Sequence, residues 1–400
     1  MKAFVAIPAL DELDFLPRTL QCLQHQNCSD FEVHICVNQP DGWWKDGEKR
    51  VICEKNQKLI AFLLRQNYSF PLFLIDKSSP GCGWNDKDYG VGWARKTLFE
   101  SILTKANDDD ILISMDADTT FGEHYVASLM TTFDAHPQWP AVAVPYYHKL
   151  TGNEVADRAI LRYEIYMRNC FLNLCRIGSP YNFTAIGSAI ALKIKTLKRI
   201  NGITPLKSGE DFYLLQKIRK MSPIGLWNSE MVFPAARFSE RVSFGTGPAL
   251  IKGSRGLWDS YPIYHFSLFD EIKSNYELID KLYQEDINTK FIAFLKSQFK
   301  TDDLWAPLRK NSKDLPHFRQ AFHEKADALR ILQFCKLEQP KLSLTDEQSL
   351  RENYPLLTND PMPEYLKNDF SFEKLSLDQL QEIREKLFEE ENTFRQRVIG

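Results

Sequence analysis

The sequence predicts an α/β protein in which a doubly wound, mostly parallel sheet precedes a helical C-terminal region. Short apolar runs of strand length alternate with segments of helical periodicity through about the first 265 residues. The run 111–115 is almost entirely apolar, which is typical of a central strand buried on both faces. Beyond about residue 270 the strand patterns cease and Lys and Glu become more frequent. We therefore expect an α/β domain over residues 1–268 and a helical region over residues 269–400.

The N-terminal part is predicted to alternate strands with helices. Apolar runs that end at polar or proline-containing turns predict the strands, which cover residues 3–7, 31–37, 71–75 and 111–115. Leucine spacing or a glycine-containing start predicts the helices, which lie around residues 16–23, near 48–66 and from 90 to about 105. This alternation favours parallel strands joined by helical crossovers.

The middle of the chain continues the pattern and adds two polar features. One further strand and one long helix are predicted, over residues 141–144 and 154–176. The residues over 185–191 are small and apolar, which suits close packing beside a ligand. Glu210 and Asp211 precede a helical run, and acidic residues are favoured at helix starts. A basic, glycine-rich segment follows over residues 237–256.

The C-terminal region contains a clear helix start. Ser376 and Gln379 have the spacing of a capping box, and Leu375 with Leu380 has that of a hydrophobic staple. Apolar residues at helical spacing would then form one buried stripe, namely Leu377, Leu380, Ile383 and Leu387. We expect this helix to pack on the first domain or on a partner.

Composition narrows the class of function and the cellular setting. The formal net charge of -3 gives no reason to expect nucleic acid as a partner. The eight cysteines show no C-x-x-C pair and no metal-type spacing, so we expect reduced thiols that pack as small core residues. The sequence shows no signal peptide and no long apolar span. These features predict a soluble, cytoplasmic protein and leave peripheral contact with a membrane open.

Two carboxylates end the apolar run 111–115. Asp116 and Asp118 are two residues apart, so in an extended chain their side chains point to the same side. In open α/β sheets ligands bind beyond the carboxyl ends of the strands. Acidic oxygens at that edge suit a hard divalent cation, which can in turn hold a diphosphate. A solvated turn that merely closes the strand is the alternative, so the interpretation depends on the other motifs.

Four motifs of this sequence resemble motifs of the nucleotide-sugar glycosyltransferases of family 2, which have the GT-A fold, and they occur in the same order as in that family. Residues 7–12 (Ile-Pro-Ala-Leu-Asp-Glu) resemble the opening strand with its I-P-x-x-x-E turn, and residues 90–95 resemble the G-x-x-x-A-R helix start. Asp116-Ala117-Asp118 resembles the D-x-D motif, and Glu210-Asp211 resembles the E-D pair before a helix. The resemblance covers about residues 1–265 and leaves the C-terminal region without a counterpart.

The resemblance implies a role for each matching residue. Asp118 would be the principal ligand of Mn²⁺ or Mg²⁺, and Asp116 would contact the ribose or the metal and its water shell. Arg95 would approach the nucleotide, and Asp211 would be the catalytic base. Related enzymes often supply a third metal ligand near His265; a histidine packed at the domain edge is the alternative. Further donor-binding residues are expected near the strand ends, at Pro8, Glu12, Asn38 and Asp76.

The chain also departs from the family pattern. Where the family often has an acidic residue after the second strand to hold the base, this chain has Asn38-Gln39, which leaves the identity of the nucleotide open. The residue after the helix arginine is Lys96, where the family often has Asn. The C-terminal Q-x-x-R-W motif of the membrane-embedded, processive members is absent, which argues against a polymerising synthase.

The sequence therefore predicts a metal-dependent, inverting glycosyltransferase of the hexosyltransferase type. It would move a sugar from a nucleotide-sugar donor to a hydroxyl of a glycan, a lipid-linked molecule or another acceptor. One alternative is a nucleotidyltransferase that makes sugar nucleotides, although its glycine-rich, lysine-containing loop is missing between Pro8 and Glu12. Another alternative is a non-catalytic module that binds nucleotide sugars, against which the retained Asp116, Asp118 and Asp211 count.

Overall fold

The computed structural model describes residues 1–241 and 245–397, and these residues divide into two compact units. The first comprises Met1–Ile160 and Thr184–Lys252, apart from residues 242–244, and the second comprises Leu161–Phe183 and Gly253–Arg397. This division differs from the expected one after residue 268, because the second unit takes in Leu161–Phe183 and resumes at Gly253. As a division into functional domains, 1–268 and 269–400 remain a prediction.

A mixed, mostly parallel sheet lies in the first unit, which confirms the predicted α/β class. The strands in the described residues are β1 (Ala3–Ala9), β2 (Phe31–Asn38), β3 (Leu72–Lys77), β4 (Ile111–Ser114), β5 (Thr120–Phe121), β6 (Ala141–Ala143), β7 (Ile190–Lys193) and β8 (Val232–Phe233). Six of them form one sheet in the order β3-β2-β1-β4-β7-β6, and β5 pairs with β8. β1 to β4 are parallel, whereas β7 is antiparallel to both of its neighbours.

The centre of this sheet is fully buried. Every residue of β1, β2 and β4 is buried, as expected for strands covered on both faces. β1 and β4 pair from Ala3 opposite Ile111 to Ala6 opposite Ser114. The expectation of a buried interior strand at residues 111–115 is confirmed, with the difference that one neighbour of β4 is antiparallel. The polar residues that follow β4 therefore leave the sheet at its carboxyl edge.

One interior strand was not predicted. The small residues over 185–191 lack a strand pattern, yet β7 begins within them and pairs with β4 and β6, with Ala191 opposite both Ile113 and Val142. Hydrogen bonds to strands on both sides fix this conformation, and such long-range pairing leaves little local signal in the sequence. β6 corresponds to the predicted strand over 141–144 and forms the edge of the sheet.

Helices flank the strands, and those predicted in this part of the chain are present. Up to Gly253 they are α1 (Leu16–Gln24), α2 (Arg50–Arg65), α3 (Val91–Leu103), α4 (Tyr125–Ala135), α5 (Glu154–Arg176), α6 (Ile194–Arg199), α7 (Glu210–Met221) and α8 (Thr246–Gly253). α3 begins directly after Gly90, whose φ of 108° favours glycine. A Cβ at Gly92 would lie 2.2 Å from the carbonyl oxygen of Leu206, so this helix start requires glycine at a second position for close packing.

The second unit is helical, as predicted for the C-terminal region. After Gly253 its described helices are α9 (Phe266–Glu277), α10 (Ile279–Gln284), α11 (Lys290–Phe299), α12 (Ala306–Asn311), α13 (Leu315–Lys325), α14 (Ala328–Glu338), α15 (Asp346–Leu357), α16 (Glu364–Lys367) and α17 (Leu377–Arg397). Within residues 1–241 and 245–397 no helix is long and apolar enough to cross a membrane.

The last helix, α17, is held by its predicted cap and by buried contacts. The Gln379 N–H donates to Ser376 Oγ at 3.1 Å, and the Ser376 N–H donates to Gln379 Oε1 at 2.9 Å, which completes the capping box. Leu380, Ile383 and Leu387 are buried, whereas Leu377 is half-buried. The predicted apolar stripe is therefore confirmed at three of its four positions, and α17 is packed rather than solvated.

Buried ion pairs within the second unit accompany this stripe. Arg168 of α5 donates to Glu391 of α17 at 2.6 Å and to Glu164 at 3.0 Å. Arg395 donates to the same Glu391 at 2.6 Å. All four side chains are at most 2% exposed. Since buried charges require partners, these pairs make the position of α17 on α5 specific.

Candidate active site

Asp116 and Asp118 lie immediately beyond β4, where the sequence places them. The Met115 N–H donates to the carbonyl of Ala6 at 3.0 Å and extends the pairing of β4 with β1. A turn follows, in which the Thr119 N–H donates to the Asp116 carbonyl at 3.2 Å. The side chain of Asp116 is 34% exposed and that of Asp118 is 15% exposed. Both carboxylates are thus accessible at the carboxyl edge of the sheet.

Arg95, the fifth residue of α3, joins this edge to the start of α7. Its Nε donates to Ser114 Oγ at 3.1 Å, and its two Nη atoms donate to Asp116 and Glu210. Burial alone would lower the pKa of Arg95, but the charges of Asp116 and Glu210 outweigh this effect and raise it. A charged arginine therefore brings together two acidic motifs that are far apart in the sequence.

A glycine makes room for this guanidinium. A Cβ at Gly187 would lie 2.1 Å from Nη2 of Arg95, which is shorter than any non-bonded contact. Only glycine therefore leaves Arg95 in its observed position. Gly187, one of the small residues over 185–191, therefore packs closely against Arg95, and the packing of this segment beside a ligand remains a prediction.

α7 presents the two acidic residues of its first turn differently. Its N-cap is Gly209, with a φ of 78°, so Asp211 does not cap the helix. Asp211 is half-buried, and its carboxylate accepts the Phe212 N–H at 2.8 Å. Glu210 is buried; its burial raises the pKa of the carboxyl against the opposing charge of Arg95, and the charge of Asp211 adds to the rise. Asp211 is therefore the accessible member of the pair.

Asp116, Asp118 and Asp211 share one electrostatic environment. Desolvation by the surrounding protein raises the pKa of Asp116, and the charge of Arg95 opposes this rise. The negative charges of Asp118 and Asp211 raise the same pKa further. A site that gathers several carboxylates in this way favours the binding of positive charge. The structure thus brings Asp116 and Asp118, two of the three predicted metal ligands, close to Asp211, the predicted base.

A second group of charges, which we call the Glu12 cluster, consists of Glu12, Asp118, Arg237 and Arg241. Arg237 donates from Nε to Asp118 Oδ2 at 2.7 Å and from Nη2 to Glu12 Oε1 at 2.6 Å. Arg241 also donates to Glu12, and its Nη2 lies 3.9 Å from Asp118 Oδ2. The cluster places two guanidinium groups beside the carboxylate that is expected to hold the metal.

Glu12 is the most buried carboxylate of this cluster. The residue is 4% exposed, and its Oε2 has no hydrogen-bond partner among the residues that the structure describes. Burial raises the pKa of Glu12 to about 7; the charge of Arg241 opposes the rise, and that of Asp118 adds to it. Glu12 therefore lies beside Asp118 with one acceptor oxygen still available, and its contact with the donor remains a prediction.

The other predicted donor-binding residues lie at the carboxyl ends of β1 to β3. Pro8 is buried near the end of β1. Asn38 is buried at the end of β2, and its Nδ2 donates to the Ala9 carbonyl at 3.0 Å. Asp76 Oδ1 accepts two backbone N–H groups of the following loop, both at 2.9 Å. Each residue is thus at the expected edge and organises its local backbone; its contact with a nucleotide remains a prediction.

His265 lies in the second unit, at the N-cap of α9. Its Nδ1 is bonded to Ser267 Oγ at 2.8 Å and its Nε2 to Glu352 at 3.0 Å. Among residues 1–241 and 245–397 no three or more His, Cys, Asp or Glu side chains are grouped so that they could hold a metal ion. The described structure therefore supplies no ligand set that includes His265, and its role as a metal ligand remains a prediction.

The carboxylates at this edge nevertheless fit a divalent cation that is held partly by its substrate. Mg²⁺ in phosphate-handling enzymes is commonly bound by one or two carboxylates together with phosphate oxygens. Asp116 and Asp118 provide that number of hard oxygen donors, and both are accessible. The unpartnered Glu12 Oε2 in the described part of the chain shows that this region has acceptor capacity to spare. We therefore regard Asp118 and Asp116 as the residues that would hold Mn²⁺ or Mg²⁺.

Three residues of this site make contacts that the sequence did not predict. Arg237 and Arg241 were visible as part of a basic, glycine-rich segment, but the pattern does not indicate which carboxylates they meet. Gly187 was visible only as one of several small residues. In each case the partner lies far away in the sequence, at Asp118, Glu12 or Arg95. Such contacts depend on tertiary packing and leave no local pattern.

Comparison with known proteins yields structural likenesses only. No protein-family model and no curated protein matches this chain. S. aureus TarS in complex with UDP-GlcNAc is similar over 82% of this chain and 92% of that chain, with 12% identity and a TM-score of 0.40. GalNAc-T7 with UDP, GalNAc and Mn²⁺ is similar over 82% of this chain and 57% of that chain, with 13% identity and a TM-score of 0.38. At these TM-scores the likenesses establish neither the fold family nor the activity of this chain.

Proposed function

We propose that this chain is a nucleotide-sugar glycosyltransferase of the GT-A type that transfers a hexose to an acceptor hydroxyl with inversion. The observation that supports this most directly is the bridge made by Arg95. It bonds Asp116 of the D-x-D motif and Glu210 of the E-D pair, so that Asp211 faces the same region as Asp116 and Asp118. A site of this kind can hold a charged donor at one end and a base at the other.

Asp211 is the proposed base. Its carboxylate is half-exposed and lies in the first turn of α7, at the positive end of the helix dipole. The bond from the Phe212 N–H to one oxygen orients the group. An ionised, oriented carboxylate can take the proton of an acceptor hydroxyl as that hydroxyl attacks the anomeric carbon. A base on the face opposite the leaving group gives a single displacement, which is the reason for proposing inversion.

The donor is proposed to lie across the carboxyl ends of β1 to β4. Pro8, Asn38 and Asp76 would meet the nucleoside, and Asp116 the ribose. Arg237 and Arg241 would lie beside the diphosphate. A divalent cation held by Asp118 and Asp116 would neutralise the developing charge of the departing nucleoside diphosphate. The acceptor is a hydroxyl of a glycan, a lipid-linked sugar or a comparable molecule.

Donor hydrolysis without acceptor tests this function. The purified protein would be incubated with UDP- and GDP-hexoses and Mn²⁺, and the products would be separated by chromatography. Slow release of nucleoside diphosphate supports a glycosyltransferase. Release or consumption of pyrophosphate would indicate a nucleotidyltransferase, and tight binding without any product would indicate a binding module. With an acceptor in hand, the anomeric configuration of the product, read by NMR, tests inversion.

A further inference from the structure

We propose that Arg237 occupies Asp118 until a divalent cation binds there, and that the displaced guanidinium then binds the diphosphate of the donor. This inference rests on the proposed function, because it concerns the metal and the donor of that reaction. It assigns two roles to Arg237. In the free protein Arg237 competes with the metal for Asp118, and in the protein with metal and donor bound it contacts the diphosphate leaving group.

The bond between Arg237 and Asp118 is the starting point. Nε and Nη2 of Arg237 both lie 2.7 Å from the same oxygen, Oδ2 of Asp118. The two side chains are 17% and 15% exposed, so water screens this pair less than it screens a surface pair. Asp118, which is expected to be the principal ligand of the metal, is therefore already bonded to a guanidinium group that also contacts Glu12, just as Asp116 is bonded to Arg95.

A cation at Asp118 must compete with this bond. Hard divalent cations bind the same carboxylate oxygens that Arg237 now engages. A cation bound to either oxygen would also lie a few ångströms from the guanidinium, and like charges at that separation repel strongly in a partly buried site. Metal binding and the Arg237–Asp118 bond are thus mutually unfavourable.

Arg237 has other contacts that would keep it in place after release. Its Nη2 is bonded to Glu12 Oε1 at 2.6 Å, and its guanidinium lies 4.0 Å from the centre of the Phe15 ring. Glu12 Oε2, which has no hydrogen-bond partner within the described residues, can accept the N–H that Asp118 gives up. The freed group would therefore stay beside the metal carboxylate, and its planar fork suits phosphate oxygens.

The first measurement is Mn²⁺ affinity in the absence of nucleotide, by electron paramagnetic resonance of free Mn²⁺. The full chain would be compared with Arg237→Met and with Lys198→Met, which removes a charge from an exposed pair with Asp108. We expect Arg237→Met to bind Mn²⁺ about tenfold more tightly than wild type, since a hydrogen-bonded charge no longer competes for Asp118. The Lys198 variant should match wild type.

The second measurement is the affinity for UDP, GDP, ADP and CDP at saturating Mn²⁺. For the nucleotide that binds wild type, we expect Arg237→Met to bind about tenfold more weakly, because a charged contact to the diphosphate is lost. Tighter binding of Mn²⁺ together with weaker binding of the nucleotide supports the inference. A variant that was merely misfolded would lose affinity for both ligands. Tighter Mn²⁺ binding with unchanged nucleotide affinity would refute the transfer of Arg237 to the diphosphate.

The remaining outcomes separate this inference from the proposed function. Equal or weaker Mn²⁺ binding by Arg237→Met overturns the inference, while donor hydrolysis by the wild type would leave the proposed function intact. If neither protein binds Mn²⁺, both the inference and the proposed metal dependence fail. If Arg237→Met does not fold, Arg237→Lys replaces it: this variant keeps the charge but not the fork, and about threefold tighter Mn²⁺ binding is expected. Binding equal to wild type would again overturn the inference.

Discussion

Arg95 and Glu210 form a buried ion pair that fixes the first turn of α7 against α3. The Arg95 side chain is 4% exposed and that of Glu210 is 2% exposed. Removing one member of such a pair leaves an uncompensated charge, so the pair defines a geometry more than it adds net stability. Because Asp211 follows Glu210 directly, the pair also sets where the proposed base lies relative to Asp116. The predictions below test the residues around it.

Asp118→Ala should abolish the divalent-cation dependence of transfer and most of the activity, with the fold intact. The reason is that Asp118 is an accessible carboxylate at the edge of the sheet and is expected to be the principal ligand of the cation. A loss of about a hundredfold or more is expected, the scale of removing one major electrostatic stabiliser of a transition state. Transfer assays with Mn²⁺ and with EDTA, together with circular dichroism, check this. Full wild-type activity in EDTA would remove the metal from the mechanism.

Asp211→Asn should bind nucleotide and metal normally but transfer the sugar about a hundredfold more slowly or worse, because an amide cannot accept the proton. Since Gly209 and not Asp211 caps α7, stability should change little. Asp314→Asn is the matched control: Asp314 caps α13 and accepts the His317 N–H at 3.0 Å in an exposed position, so transfer should be unaffected. A near-normal transfer rate in Asp211→Asn would show that another group is the base.

Gly187→Ala should displace Arg95 and lower both stability and activity. The added methyl group would lie within the space of Nη2, and overpacking of this kind typically costs about 1–3 kcal/mol. Urea unfolding and donor hydrolysis would measure the two effects. Gly47→Ala is the control, because a Cβ there has no neighbour within 4 Å. If both variants behave alike, the position of Arg95 does not depend on Gly187.

The titration of Glu12 should lower the free energy of unfolding as the pH rises from about 4.5 to about 7. Its pKa is raised from the ordinary value of 4.5 to about 7, so in this window the folded protein keeps a proton that the unfolded chain has lost. Above about pH 7 both states are deprotonated and the contribution no longer changes. The shift corresponds to a free energy of roughly 3 kcal/mol.

The variant Glu12→Gln isolates this contribution, because glutamine does not titrate. Its free energy of unfolding should fall less than that of wild type between about pH 5 and about pH 7.5, and urea denaturation at the two pH values measures the difference. Identical changes in the two proteins would mean that Glu12 titrates with an ordinary pKa in the folded state.

Glu391→Ala should destabilise the second unit by about 3–5 kcal/mol, because it removes the carboxylate that bonds Arg168 and Arg395 in a buried position. Glu389→Ala removes an exposed carboxylate that bonds Lys386 three residues earlier in the same helix, and should change stability by about 1 kcal/mol or less. Hydrogen exchange across residues 376–392 would report the difference as faster exchange of α17 in Glu391→Ala only. Equal exchange in the two variants would contradict a role of Glu391 in holding α17.

Much of this architecture was predictable because its signals are local. The strands β2 to β4 end at polar residues, and the apolar run before Asp116 marks a buried interior strand without reference to any other segment. The capping box of Ser376 and Gln379 lies within four residues, so its bonds follow from spacing alone. Asp116, Asp118 and Asp211 were likewise visible as acidic residues at a strand end and a helix start.

The sequence by itself determined the class of the fold, the order of its main elements and the acidic residues at the edge of the sheet, since each depends on composition and periodicity over a few neighbouring residues. Tertiary structure alone decided which charges meet. β7 is a strand only because β4 and β6 lie on either side of it, and residues 161–183 join the second unit through side chains such as Arg168 that meet α17. Arg237 is more than a hundred residues away in the sequence from both Asp118 and Glu12, so no local pattern predicts its bonds to them.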